Sequence, residues 1–200
     1  KCNLVFNNAG VSHSGTIEGT EYKDFEWIVG INFWGVVYGT KAFLPHLKAS
    51  GEGHIVNLSS LFGLLSIPGQ GTYNATKFAV RGFTEALREE LEVTRAPVSA
   101  TCVHPGGIKT NIAKSARVDK SLSALGVTDI ERGRKSFEKA FRVTPEDAAE
   151  TILRGVERNA RRVLIGQDAY ALDLLQRIFP SSYQAIVVRA DSSLKSVAEL

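Results

Sequence analysis

Apolar residues in this chain fall into two patterns that alternate along its length. Short unbroken runs come first: Leu4-Val5-Phe6, then Ile55-Val56 with Leu58, then the segment from Pro97 to Val103, then Arg162 to Gly166. Such runs suit strands buried on both faces, as in a parallel sheet. Between them the apolar positions recur every three or four residues. Phe25, Ile28, Val29, Phe33, Val36 and Val37 mark a long amphipathic helix from Glu21 toward Ser50, with Thr20 as its expected N-cap. Tyr73, Val80, Phe83, Leu87 and Leu91 mark a second, from Tyr73 to Val93. A third starts at Thr144-Pro145-Glu146-Asp147, where an N-cap, a proline at the first helical position and first-turn acids coincide. Strands alternating with helices predict an α/β fold with a parallel sheet.

Two stretches break the pattern. The loop after the second strand carries Leu61, Phe62, Leu64, Leu65 and Ile67, where surface loops usually carry polar side chains. These residues either line a substrate's approach, which makes the substrate partly apolar, or simply pack beneath a lid. Residues 107–142 have no strong periodicity and hold nine Lys/Arg against four Asp/Glu, an excess that suits a solvated mobile loop better than a surface for an acidic substrate or a membrane face. Beyond the last strand, Ala171, Leu174, Leu175 and Ile178 form a short apolar stripe, and the tail over 189–200 is expected to be loose.

Composition narrows the function. Two hundred residues, 44% of them hydrophobic, suffice for a single domain over 1–200 with a buried core. A net charge of +3 without a dense basic run gives nucleic-acid binding no support, and no apolar run approaches the length of a membrane span. Cys2 and Cys102 are isolated thiols, in keeping with a reducing, cytoplasmic compartment, and the four histidines are too scattered to suggest a metal site.

The chemistry concentrates between Ser59 and Lys77. Tyr73 and Lys77 are four apart in a helix, which stacks phenol and ammonium on one face, and Ser60 lies thirteen residues before Tyr73 at the end of a strand. These groups are a general acid/base, a cation beside it and a polarising donor. Asn7-Asn8-Ala9-Gly10 leaves the first strand, Asn32 interrupts the first helix between Gly30 and Gly35, and Pro105-Gly106 closes the strand after the Tyr/Lys helix. With Ser60 and Tyr-x-x-x-Lys at that spacing, the chain resembles the short-chain dehydrogenase/reductase family over most of its length, less closely after about Thr110.

That resemblance implies a Rossmann-like doubly wound sheet and an NAD- or NADP-dependent oxidoreductase that interconverts a secondary alcohol and a ketone. Tyr73 would be the acid/base, its pKa lowered by Lys77; Ser60 would hold the substrate oxygen. Asn32 would distort its helix and order a water in the proton path. Asn7, Ala9, Gly10, Tyr73, Lys77, Pro105, Gly106, Ile108 and Thr110 would meet the cofactor. The helices from Glu21 and Tyr73 would pair with their copies in a homodimer or homotetramer. His104 is a weaker acid/base candidate, since Tyr73 fills that role. An isomerase or lyase using the same pair, and a non-catalytic scaffold on this fold, are the competing readings.

Two features are expected to limit the chain. No Gly-x-Gly-x-x-Gly follows a strand, so neither the phosphate cradle nor the residue that selects NAD over NADP is seen. There is no methionine, and the first residues already read as a buried strand, equivalent in the family to the fourth. The expectation is therefore a C-terminal fragment whose first three strands lie upstream.

Overall fold

A computed structural model describes residues 2–139 and 141–198. Strand β1 (Leu4–Asn7) leads through a two-residue strand β2 (His13–Ser14) to helix α1 (Tyr22–Val29), a π-helical turn over Gly30–Trp34, and helix α2 (Gly35–Ala49). Strand β3 (Gly53–Leu58), helix α3 (Gly71–Val93) and strand β4 (Val98–Pro105) follow. Residues 107–142, which the family resemblance implies form a substrate lid, contain β5 (Arg117–Val118), a 3₁₀ turn over Lys120–Leu125 and α4 (Ile130–Lys139). Helix α5 (Pro145–Glu157), strand β6 (Arg162–Ile165), α6 (Gln167–Ile178) and α7 (Tyr183–Ala198) complete the order.

The main sheet runs β1-β3-β4-β6 and every pairing is parallel. Successive residues of a strand face opposite sides, and the core divides accordingly. Val5, Ile55 and Ala100 join Leu47 of α2 and Leu87 and Leu91 of α3 on one face. Val56, Leu58, Val103 and Val163 meet Ala148 and Ile152 of α5 on the other. The sheet is thus wound on both sides, as the alternation of runs and amphipathic stretches predicted. At α5 the expected start is observed: Thr144 Oγ1 accepts from the Asp147 amide at 3.1 Å, with Pro145 in the first turn.

Several expectations are corrected. Thr20 does not cap α1; its hydroxyl donates to the Thr16 carbonyl at 2.7 Å, and Glu21 occupies the cap without a side-chain bond. Helix α7 continues to Ala198 where a loose tail was expected from Arg189, because Val188 to Ala198 contains neither Pro nor Gly to stop it. Leu174 and Ile178 are not core: they are 57% and 58% exposed, while Ala169, Leu172 and Leu175 face inward. The helix is turned by Asp173, which is buried against Arg162 (2.9 Å) and Arg177 (2.9 Å).

The apolar loop after β3 also resolves. Leu61, Leu64 and Leu65 are buried with Leu164, Ala169 and Tyr183, so most of this loop is core beneath the last two helices and not a substrate wall. The lid is strapped to the body. Strand β5 pairs in parallel with β2, the Asp119 amide donates to the Ser14 carbonyl at 2.8 Å, and Arg117 reaches Asp24 at 2.7 Å while lying 3.7 Å from the centre of the Trp27 ring.

Candidate active site

The site is built where β1 and β3 end and α3 begins. Ser60 follows directly on β3 in an extended conformation, and its hydroxyl caps the next turn by accepting from the Phe62 amide at 3.1 Å. Tyr73 and Lys77 lie in the first turns of α3, both buried. The Ser60 side chain favours ionisation of the phenol, and Phe62 meets the Tyr73 ring edge-on at 6.2 Å between centroids. The Lys77 ammonium sits 5.6 Å from the centre of the Tyr73 ring and donates to the Leu58 carbonyl at 2.9 Å.

Burial dominates the protonation of both groups. It pushes the Tyr73 phenol up to about 12, only partly countered by the Ser60 hydroxyl, and brings the Lys77 ammonium down to about 8. The expectation that Lys77 lowers the tyrosine is therefore not met in this arrangement. The ammonium spends its bond on a main-chain carbonyl, and desolvation outweighs its distant charge. At neutral pH Tyr73 is a phenol and Lys77 is charged.

Asn32 behaves as expected in one respect and differently in another. It is buried in the π-helical turn, where the Gly35 amide reaches back to the Gly30 carbonyl across five residues, so the helix is distorted there. Its side chain, however, is spent on protein. It accepts from the Val11 amide at 2.8 Å, donates to the Val11 carbonyl at 2.9 Å and lies 3.2 Å from Thr76 Oγ1. Asn32 thereby ties the loop after β1 to the Tyr/Lys helix.

Gly10 shows how closely these elements converge. A Cβ at this position would lie 3.5 Å from both Asn32 Oδ1 and Lys77 Nζ, so glycine keeps the approach to the ammonium clear. Asn7 stands apart from the other expected cofactor residues. Its amide donates to Thr40 Oγ1 at 3.1 Å and Asn57 Oδ1 at 2.7 Å, and its oxygen fills the space over Gly39, which leaves only its main chain for a ligand. Ala9 is exposed on the same loop. At the far side, Pro105 ends β4, the Gly106 amide donates to Ile165 and the Gly107 amide to Asp168 Oδ2 at 2.8 Å. The Ile108 carbonyl accepts from the Thr110 amide at 2.8 Å, and the Thr110 side chain is exposed.

Groups outside the motif hold it together. Ser59 Oγ donates to the Lys77 carbonyl at 2.7 Å, and Asn74 Nδ2 donates to the carbonyls of Phe62 and Leu65 at 3.0 and 3.1 Å. His13 lies 3.1 Å from Thr72 Oγ1, just before the tyrosine. Gly63 presses on the same helix: a Cβ there would meet Ser59 Oγ at 2.3 Å and the Lys77 carbonyl oxygen at 2.7 Å. Sequence reasoning passed over all of these; the one signal for them was their adjacency to Ser60 and Tyr73.

The residues present suit the nicotinamide end of a dinucleotide, since Gly10 lies beside the Lys77 ammonium, and Gly10, Ser60 and the Pro105-Gly106 turn all follow the carboxyl ends of parallel strands, the usual ligand edge of such sheets.

Comparison with known proteins agrees. The sequence profile described as short chain dehydrogenase matches residues 1–121. A Mycobacterium tuberculosis protein named SadH is 53% identical over 184 residues, covering 92% of this chain. This chain spans 64% of that relative's length. A C alpha-dehydrogenase of Sphingobium is 37% identical over 80% of this chain and 53% of its own. Among solved structures, a short-chain dehydrogenase/reductase of Burkholderia phymatum in complex with NAD superposes with a TM-score of 0.81 at 27% identity, over 92% of this chain and 68% of its own.

Proposed function

The chain belongs to the short-chain dehydrogenase/reductase family, and from that premise we propose that the whole protein interconverts a secondary alcohol and a ketone with NAD or NADP. The observation that carries this reading is the buried meeting of Ser60, Tyr73 and Lys77 where β3 hands over to α3, with Asn32 lashed to the same helix through Thr76.

When bound, the nicotinamide supplies or accepts the hydride. Lys77, beside Gly10, holds the ribose hydroxyls, and the main chain of Asn7 to Gly10 and the turn from Pro105 to Thr110 border the cofactor. The Ser60 hydroxyl hydrogen-bonds the substrate oxygen. Tyr73 would give its proton to that oxygen as the carbonyl carbon gains the hydride, so one hydride and one proton together turn the ketone into the alcohol and leave Tyr73 to be reprotonated. A phenol pushed up to about 12 is already in the form that this direction requires. In the reverse direction the alcohol's proton would pass to a tyrosine that must first ionise, which its burial opposes. Phe62, edge-on to Tyr73, offers an apolar wall to the substrate.

Exposed aromatic side chains on the π-helical turn, α2 and α3 support a homodimer or homotetramer: Trp34 and Tyr38 stack at 5.5 Å yet stand 45% and 64% exposed, and Phe78 of α3 is 38% exposed. The test is Tyr73→Phe in the whole protein, assayed with reduced cofactor against a panel of ketones. Turnover should fall by roughly 100-fold or more with the fold intact. A variant that keeps the wild-type rate refutes the assignment.

A further inference from the structure

We propose that His104 is a positioning residue, whose Nδ1–H holds the carbonyl of Ser60 and so aims the Ser60 hydroxyl at the substrate oxygen. The inference rests on the reading of Ser60 given above and adds a group outside the Ser/Tyr/Lys set. His104 is 0% exposed, near the end of β4, and its Nδ1 lies 2.9 Å from the Ser60 carbonyl oxygen. A carbonyl can only accept, so the proton of the neutral ring must sit on Nδ1. Nε2 is then a bare acceptor, and it is buried with no partner.

An unpartnered buried nitrogen costs roughly 1–3 kcal/mol. Leucine would fill much the same volume without that penalty. What the imidazole does there that an apolar side chain cannot is make the bond to Ser60. The position explains why such a bond matters. Among the described residues, the last main-chain bond between β3 and β4 runs from the Ser59 amide to the Val103 carbonyl at 2.9 Å. Ser60 is the first residue past the ladder, and its other ties, from the Gly63 and Phe62 amides, come from its own loop. His104 is the tie back to the rigid sheet. Burial brings its pKa down to about 4, with Arg162, Arg81 and Glu85 as the nearby charges, so the donor form persists through neutral pH.

The experiment compares His104→Leu and His104→Asn in the whole protein; the Asn amide can stand where Nδ1–H stood. We expect His104→Leu to lower kcat by roughly 10-fold, with cofactor KM and thermal stability unchanged or better, and His104→Asn to recover most of the rate. A ¹⁵N spectrum of the ring should show the neutral Nδ1–H tautomer from pH 6 to 8. Ser60→Ala should abolish turnover, and adding His104→Leu to it should lower the residual rate no further. The proposal is overturned by wild-type kcat in His104→Leu, by a kcat loss that follows a fall in stability and is not recovered by asparagine, by an Nε2–H tautomer, or by a further full loss on the Ser60→Ala background. Wild-type turnover in Ser60→Ala would sink the reading of the site itself, which distinguishes the two failures. Should the leucine variant not fold, the asparagine variant and the tautomer still decide.

Discussion

Replacing Lys77 with methionine should abolish function while making the cofactor-free protein more stable. Lys77 is 4% exposed, has the Leu58 carbonyl as its hydrogen-bond acceptor, and its ammonium is brought down from 10.5 to about 8 by burial. At about 1.4 kcal/mol per pKa unit, holding that charge in the folded state costs about 3 kcal/mol at pH 7. Methionine removes the charge and fills similar space, but leaves the Leu58 carbonyl without its donor, a loss of about 1 kcal/mol. The net gain is about 2 kcal/mol. Its pH dependence identifies the cause. Because the folded pKa lies below the unfolded one, the unfolded chain keeps a proton between pH 8 and 10.5 that the folded chain has lost, so the wild type gains stability as pH rises through that window. The methionine variant lacks that slope, and its advantage should shrink to about zero by pH 10. Urea unfolding of both proteins at pH 7 and pH 10, without cofactor and with equal m-values, measures the difference. A methionine variant less stable than wild type at pH 7, or a difference that does not change with pH, would refute this reasoning.

Two further outcomes follow from the packing. Gly63→Ala should lower stability by about 2–3 kcal/mol in thermal unfolding, since the new Cβ would meet Ser59 Oγ at 2.3 Å and the Lys77 carbonyl oxygen at 2.7 Å, and helix backbone cannot yield cheaply. At Asp173, burial opposes the charge but Arg162 and Arg177 together hold the carboxyl below its usual range, so its contribution is present above about pH 4 and is lost as pH falls through the folded pKa. Asp173→Ala should therefore cost about 2 kcal/mol at pH 7, and denaturant midpoints of variant and wild type should converge as the pH is lowered.

The parts of this fold that the sequence announces are those where one local rule decides. Leu4-Val5-Phe6 and Ile55-Val56 read as buried parallel strands because nothing else accommodates such short apolar runs, and the four-residue step from Tyr73 to Lys77 guarantees a shared face once α3 forms. What escaped needed a distant partner. Asp173 reads as a solvent-facing residue until Arg162, eleven positions earlier, turns it inward and α6 with it. Leu61, Leu64 and Leu65 look like pocket lining until α6 and α7 are seen to cover them. The pairing of His13–Ser14 with Arg117–Val118 joins two segments with no strand signal of their own. The Tyr73 phenol shifts opposite to expectation for the same reason, since burial is a property of the whole fold and proximity to Lys77 is not enough to predict it.

The residues between the motif positions are not spacers. Chemistry uses one face of the first turns of α3, the face of Tyr73 and Lys77; the intervening side chains fix that face in space. Thr72 meets His13, Asn74 grips the carbonyls of Phe62 and Leu65, and Thr76 receives Asn32 while donating to the Tyr73 carbonyl at 2.9 Å. From the opposite side, Ser59 reaches the Lys77 carbonyl and His104 reaches that of Ser60. Apart from the Thr76–Tyr73 bond within α3, each of these bonds joins two segments that no sheet ladder or helix would otherwise hold in register, because they lie where the strands stop. A catalytic set assembled from a strand end and a helix start needs its distances fixed to within a fraction of an ångström. Here small polar side chains fix them, bonded to main-chain groups that the ends of regular structure leave available. It follows that substitutions at Thr72, Asn74 and Thr76 should alter turnover more than their distance from the substrate suggests, and that they act through the spacing of Ser60, Tyr73 and Lys77.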